Sequence, residues 1–158
     1  MTTLRPARMA VIGAVAGALA MGVASASAAS HSPAPKKLAN PVRTCEQLTA
    51  RFQRYLSPGQ NANLRRFVSP AFVIGRNDGT INSWPAYLEN HPVFTGWNIS
   101  VTLARFSTPV ITCVAVTSTT QIVNGAPVVS VPTQNMSTYA WQRGAWRITS
   151  YARFNAVS

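Results

Sequence analysis

The C-terminal part of the chain most constrains its fold, because after Phe94 nearly every segment has the pattern of a β-strand. Apolar and polar residues alternate from Trp97 to Leu103, which is the two-residue period of a half-buried strand. A second run ends at the dipeptide Asn124-Gly125, which favours a tight hairpin. A third strand is predicted from about Val128 to Gln142, with a bulge or break near Pro132, and a fourth strand follows it. These strands predict a four-stranded antiparallel meander.

Helical signals precede the meander. A first helix is predicted with Thr44 as its cap, because apolar residues recur at three- and four-residue spacing: Leu48, Phe52, Tyr55 and Leu56. A short second helix is predicted at about 62–68, and Ser83 can cap a third helix over about 84–90. Between these two helices, AFVIGRNDGTI predicts a strand, a turn and a return strand. Helices followed by an antiparallel sheet indicate the α+β class.

The closing hairpin, YAWQRGAWRITSYARF, is predicted to have one aromatic face and one basic face. By strict alternation, the aromatic face contains Tyr139, Trp141, Trp146, Ile148 and Phe154. The opposite face then contains Arg147, Thr149, Tyr151 and Arg153. We expect the aromatic face to meet the helices and the arginines, chiefly Arg147 and Arg153, to form a basic outer face.

The order of these features resembles the nuclear transport factor 2-like (NTF2-like) superfamily, in particular its bacterial SnoaL-like and DUF4440-like members. FVSPAFVIGRNDGTINSWPAYLEN resembles the segment in which those proteins place a short strand, a glycine turn and the third helix. YAWQRGAWRITSYARF resembles their closing hairpin, in which a turn glycine and a Trp-Arg pair recur. The resemblance covers residues 42–158 as one domain and implies a cone, with N-terminal helices packed on a curved antiparallel β-sheet.

The cone that the resemblance implies encloses an apolar pocket. Eight aromatic residues are candidates to line it: Phe52, Tyr55, Phe72, Trp84, Tyr87, Trp97, Trp141 and Trp146. Such domains often form homodimers through the outer face of the sheet. Two copies of a basic outer face repel each other, so the arginines do not favour a homodimer here.

The N-terminus has the pattern of a secretory signal peptide. A basic start precedes an apolar run from Met9 to Val23 and the small residues ASASA, which predicts cleavage after Ala28 and a secreted or extracytoplasmic domain. An uncleaved N-terminal anchor is the alternative. Residues 29–41, rich in proline and lysine, are predicted to be a disordered tether. Cleavage leaves twelve basic residues against three acidic ones, an excess that favours encounters with polyanions or serves solubility.

Two cysteines, Cys45 and Cys113, predict a disulfide, because an exported chain with an even number of cysteines usually pairs them. Two buried free thiols are the alternative. A pair is too few for a zinc site of the usual kind, and the sequence contains no CxxC. The sequence also has no His or Asp cluster, no G-x-x-x-x-G-K-[ST] loop and no G-x-G-x-x-G motif, so neither a metal nor a cofactor is expected.

Catalytic groups are scarce in this sequence. The superfamily's isomerases place a carboxylate near the end of the first strand, where this chain has Ile74, Gly75 and Arg76. The three acids, Glu46, Asp78 and Glu89, lie in helix ends and a turn. The weak catalytic candidates are His91, Tyr87 and Tyr55.

Three functional hypotheses follow. The first is a secreted domain that binds a small apolar or amphipathic ligand in the aromatic pocket, or that acts as an interaction module. The second is an isomerase-, dehydratase- or hydrolase-type enzyme, which the scarcity of acids does not favour. The third is a binder of a polyanion, such as an anionic polymer of the cell envelope or nucleic acid, through Lys36, Lys37 and the basic face.

Overall fold

The computed structural model describes residues 32–76 and 78–156, so the predicted signal peptide lies outside the described residues. The predicted α+β class is confirmed, with three helices placed before or between the strands of one curled sheet. The elements are α1 Pro41–Tyr55, α2 Asn61–Phe67, β1 Val68–Gly75, β2 Ile81–Ser83, α3 Trp84–Glu89, β3 Gly96–Ser107, β4 Val110–Val123, β5 Ala126–Val129, β6 Thr133–Gln142 and β7 Ala145–Ala156. No helix in this part of the chain has the length and hydropathy needed to cross a membrane.

The first helix begins four residues earlier than the sequence predicted. Asn40 is its cap, because the Asn40 side-chain oxygen accepts a hydrogen bond from the Arg43 backbone N–H at 2.9 Å. Pro41 occupies the first turn, where a missing N–H costs nothing. Thr44, the predicted cap, lies inside the helix, and its hydroxyl donates to the Asn40 carbonyl at 2.9 Å. The predicted apolar stripe faces the core, with Leu48 and Phe52 buried.

The strands form one sheet in the order β2-β1-β7-β6-β4-β3, and β5 pairs with β4 beyond that path. Neighbouring strands are antiparallel except β1 and β7, which are parallel. The predicted third strand is broken around Pro132 into β5 and β6. Asn124 and Gly125, with φ angles of 52° and 82°, make the tight turn between β4 and β5 that their sequence predicted.

Bulges bend the sheet and change which residues face inward. In the β3–β4 pairing the register shifts between Val101 and Leu103, so one extra residue enters β3. Leu103, predicted to share the inner face, is 47% exposed, whereas Ala104 and Phe106 pack against the core. A bulge increases local twist and bends the strand. The sheet therefore curls around α1.

The disulfide ties α1 to the centre of the sheet. Cys45 and Cys113 are bonded with their Cα atoms 5.6 Å apart, which confirms the predicted pair. Both cysteines are completely buried. The bond therefore joins the first helix to β4 inside the core, across 68 residues of sequence.

Residues 32–40, which include most of the predicted tether, contain no helix or strand. The Trp141 indole N–H donates to the Ser32 carbonyl at 2.9 Å, and the Thr108 hydroxyl donates to the Pro35 carbonyl at 2.8 Å. Leu38 packs against the core. These contacts place the segment against the sheet, and its disorder stays a prediction.

Candidate functional site

The inner face of the sheet changes from apolar to polar along its central strands. On β4 the inward residues are, in order, Ile111, Cys113, Ala115, Thr117 and Thr119. On β6 the series runs the other way along the chain, from Thr133 through Asn135 and Ser137 to Tyr139. The pairs Ile111–Tyr139 and Thr117–Thr133 bring both polar halves to the same end of the sheet. We call this region, formed by Thr117, Thr119, Thr133, Asn135 and Ser137, the polar end.

Two buried amide oxygens at or beside the polar end have no hydrogen-bond donor within the described part of the chain. The Asn135 amide nitrogen donates to the Thr117 hydroxyl at 2.9 Å and to the Thr133 carbonyl at 3.3 Å, but the Asn135 Oδ1 is unpartnered. The Gln53 Oε1, on α1, is unpartnered as well. Both residues are 1% exposed. Because an unmade buried hydrogen bond costs about 1–3 kcal/mol, such groups call for a functional explanation.

A bulge in β7 adds two side chains to the polar end. Thr138 pairs with Ser150 and Tyr139 with Ile148, so Thr149 is an extra residue in β7. The extra residue reverses the alternation that follows it. Tyr151 therefore lies inward, with its ring centroid 5.5 Å from that of Phe52.

The same extra residue turns Arg153 toward the inner face. Its Nη2 donates to the Thr133 hydroxyl at 3.1 Å, and Thr133 is buried at the polar end. Phe154, predicted for the aromatic face, is 44% exposed. The predicted basic outer face is thus corrected: Arg153 and Tyr151 lie on the inner side, because strict alternation does not hold across a bulge. Arg147 lies before the bulge and donates to the Arg66 carbonyl on α2.

Three phenols near the inner face hold their protons tightly. Burial raises the pKa of the Tyr139 hydroxyl to about 12, against opposing hydrogen bonds from Ser137 and Thr49. Burial likewise raises the pKa of Tyr151, against the Arg153 guanidinium and the side chains of Thr117 and Gln53. The pKa of Tyr87 is raised well above its usual range, mainly by burial. At neutral pH these phenols are therefore hydrogen-bond donors and not bases.

The structure separates the predicted pocket-lining residues into groups. Phe72 brings three of them together, since its ring centroid lies 6.2 Å from Phe52, 6.3 Å from Trp84 and 5.6 Å from Tyr87. Trp97, on β3, pairs with Thr119 at the polar end. The Phe72 group adjoins the polar end, because Phe52 also contacts Tyr151.

The remaining predicted lining residues lie away from the polar end. Trp141 and Trp146 pack edge to face at 5.4 Å, beyond Tyr139 on the hairpin. Tyr55 packs edge-on against Phe67, also at 5.4 Å. The eight aromatic residues therefore do not surround one pocket together.

An open cavity of about 580 Å³ lies at the ends of β1, β6 and β7. It is lined by Gly75, Arg76, Gly79, Gln134, Ala152, Arg153 and Phe154. Arg153 belongs both to this cavity and to the polar end.

The three catalytic candidates, His91, Tyr87 and Tyr55, make contacts that stabilise the fold. One ring nitrogen of His91 lies 2.9 Å from the Pro92 carbonyl and the other 3.1 Å from the Asn61 side-chain oxygen, so His91 ties the end of α3 to the start of α2. Tyr87 is a buried donor, as shown above, and Tyr55 lies outside the polar end.

The acidic residues lie outside the polar end. Asp78 accepts from the Thr80 N–H in the β1–β2 turn, and hydrogen bonds from the side chain and backbone of Thr80 lower the pKa of its carboxyl. Glu46 and Glu89 are exposed on α1 and α3. Among the described residues, no three His, Cys, Asp or Glu side chains form a group that could hold a metal ion.

Sequence reasoning missed the polar end, although the sequence carries a signal for it. Asn135 and Ser137 alternate in phase with Tyr139, so the period that turns Tyr139 inward turns them inward too. Gln53 stands beside Phe52 on the buried stripe of α1. The indication of a site was therefore the presence of polar residues at inward positions of both the strand pattern and the helix pattern.

Solved structures share this architecture at low sequence identity. An NTF2-like protein of unknown function in nutrient uptake from Rhodospirillum rubrum aligns with a TM-score of 0.62 and 11% identity, covering 71% of this chain and 98% of that one. An NTF2-like protein from Cytophaga hutchinsonii aligns with a TM-score of 0.61 and 8% identity, covering 75% and 99%. The association domain of C. elegans CaMKII aligns with a TM-score of 0.55 and 10% identity, covering 72% and 94%.

These structural matches confirm the NTF2-like fold predicted from the sequence. No protein-family model matches the chain, and no curated protein matches its sequence. The comparisons therefore establish the fold and not the function.

Proposed function

We propose that this chain, a protein of NTF2-like fold, is an exported domain that binds a small amphipathic molecule on the inner face of its sheet. The ligand's polar group lies at the polar end, and its apolar part packs on the partly exposed ring of Trp97, which pairs with Thr119 there. The observation that supports this most is the pair of buried, unpartnered oxygens of Gln53 and Asn135. A ligand that donates to them removes their desolvation cost.

The chemistry of the polar end specifies the polar group. The oxygens of Gln53 and Asn135 accept hydrogen bonds, so the ligand carries a hydroxyl or amine donor. The Tyr151 hydroxyl and the Arg153 guanidinium donate, so the ligand also carries an oxygen acceptor. This combination favours an amphipathic ligand over a purely apolar one.

The enzyme alternative has less support. Isomerisation or dehydration requires a group that takes a proton at the site. The phenols of Tyr87 and Tyr151 keep their protons, because burial raises their pKa values. Arg76 stands at the end of β1, where the family's isomerases have a carboxylate. These groups bind and orient a ligand.

Native mass spectrometry tests the ligand. Residues 29–158 are purified from the medium of the natural host and compared under native and denaturing conditions, together with Asn135→Leu and the matched control Asn98→Leu. Asn98 is an exposed asparagine on β3 that the site does not include. We expect a mass excess, seen only under native conditions, in the wild type and the control but not in Asn135→Leu. A bare wild-type mass, or an excess that Asn135→Leu retains with native circular dichroism, contradicts the proposal.

The outer face supports a homodimer as an additional proposal. Four apolar residues form a row across adjacent strands in register: Leu103, Val114, Met136 and Ala152. With Arg153 on the inner side, the repulsion expected from a basic outer face is reduced. Sedimentation of the wild type should show a dimer that Met136→Arg dissociates and that Gln47→Arg, on exposed α1, leaves intact. A monomeric wild type contradicts it.

A further inference from the structure

We propose that the domain carries a second site, a basic surface that binds a linear phosphodiester polymer without bases, such as a polyol-phosphate chain. The basic surface consists of arginines from three elements: Arg51 and Arg54 on α1, Arg66 on α2, and Arg143 and Arg147 on the β6–β7 hairpin. It is distinct from the polar end, with which it shares no residue.

Three adjoining depressions bring these arginines together. A depression of about 350 Å³ is lined by Arg51 and Arg54 along α1. A second, of about 180 Å³, is lined by Arg51 and Arg66 and reaches Trp146 on the hairpin. A third, of about 320 Å³, contains Arg143 and Arg147. The first two share Arg51, and the third is linked to the second because Arg147 donates to the carbonyl of Arg66.

Contacts within the fold hold part of this surface in place. The Arg147 Nη1 donates to the Arg66 carbonyl, which fixes the hairpin against α2. The guanidinium carbon of Arg51 lies 6.0 Å from the centroid of the Phe67 ring. Guanidinium groups held in this way lose less freedom when they bind phosphate, and their planar fork suits two phosphate oxygens at once.

The charge of the basic surface is not balanced by the chain's own acids. The sequence has 14 basic and three acidic residues. Of the acids, Asp78 lies in the β1–β2 turn, Glu89 at the end of α3, and Glu46 near the start of α1. A cluster of one sign raises the local concentration of an oppositely charged polymer.

The aromatic residues at this surface argue against recognition of bases. Proteins that bind single-stranded nucleic acid stack bases on the open faces of aromatic rings. Here Trp146 packs edge to face with Trp141 at an interplanar angle of 82°, and Tyr55 packs edge-on against Phe67 at 74°. Both surface rings are partly buried by this packing. The surface therefore offers guanidinium donors to phosphates and no stacking platform.

A matched pair of double variants tests the site. Arg51→Gln with Arg66→Gln removes two arginines of the basic surface, and Arg43→Gln with Arg105→Gln removes the same charge from elsewhere; all four side chains are exposed. The probe is fluorescently labelled poly(glycerol phosphate), titrated by anisotropy at two salt concentrations. We expect the first variant to weaken binding roughly tenfold or more and the second only about twofold, with affinity falling as salt rises.

Three results overturn the proposal. The first is the absence of binding by the wild type at low salt. The second is an equal loss in both variants, which shows an effect of net charge alone. The third is tighter binding of a single-stranded oligonucleotide with the same number of phosphates, accompanied by quenching of tryptophan fluorescence, which shows recognition of bases. Circular dichroism of both variants verifies that they are folded.

Discussion

Removing the Cys45–Cys113 disulfide should lower the free energy of unfolding by about 4 kcal/mol, because the bond closes a long loop. The two cysteines are separated by 68 residues. A cross-link over that length removes conformational entropy from the unfolded chain, and the chain-entropy relation converts it into about 4 kcal/mol at room temperature. Small domains have total stabilities of roughly 5–15 kcal/mol, so the bond supplies a large share.

The variants must separate loop closure from packing. Cys45 and Cys113 are completely buried, so replacing both by alanine also leaves a small cavity where the sulfur atoms were. Cys45→Ala with Cys113→Val replaces two sulfur atoms by two methyl groups and keeps the volume nearly constant. The free energy lost in the Ala/Val variant therefore measures the contribution of loop closure. The further loss in the Ala/Ala variant measures the cost of the cavity.

Equilibrium unfolding in urea, followed by tryptophan fluorescence, measures both terms. We expect the Ala/Val variant to lose about 4 kcal/mol, corresponding to a fall of roughly 15 °C in the melting temperature. Its denaturant slope should rise, because an unfolded chain without the cross-link exposes more surface. A loss below about 1 kcal/mol in the Ala/Val variant would refute the loop argument.

Three further predictions test other parts of the structure. Asn40→Ala removes the side-chain cap of α1 and should cost about 1 kcal/mol in urea unfolding, whereas Asn40→Asp should cost little; equal costs contradict the assigned cap. Because the folded pKa of Tyr139 is about 12 and the unfolded value is 10.0, the folded state retains the proton longer, so stability should fall between these pH values. Urea midpoints across this pH range should fall less in Tyr139→Phe than in the wild type. An identical fall in both would show that the raised pKa of Tyr139 is not the cause. Trp141→Phe removes the bond to Ser32 and should speed tryptic cleavage after Lys37 about fivefold, whereas equally fast cleavage of the wild type indicates a disordered tether.

Local features of the fold were predictable from the sequence because they depend on neighbouring residues. The Asn124-Gly125 turn needs two positive φ angles, which this dipeptide adopts readily. Pro132 cannot donate in a strand ladder, so a break at that point followed directly. The cysteine pair followed from the even count and the predicted export signal. The order of such features was also enough to predict the fold class.

The sequence by itself determined the order of helices and strands, the hairpin turns and the cysteine pair, since each rests on local backbone preference or on composition. The inward and outward faces were decided only by the tertiary structure. One extra residue at Thr149 turned Tyr151 and Arg153 inward, and an extra residue after Val101 turned Leu103 outward. A bulge forms where a strand must bend to cover α1, so its position depends on packing between distant elements. The polar end exists because of that long-range fit.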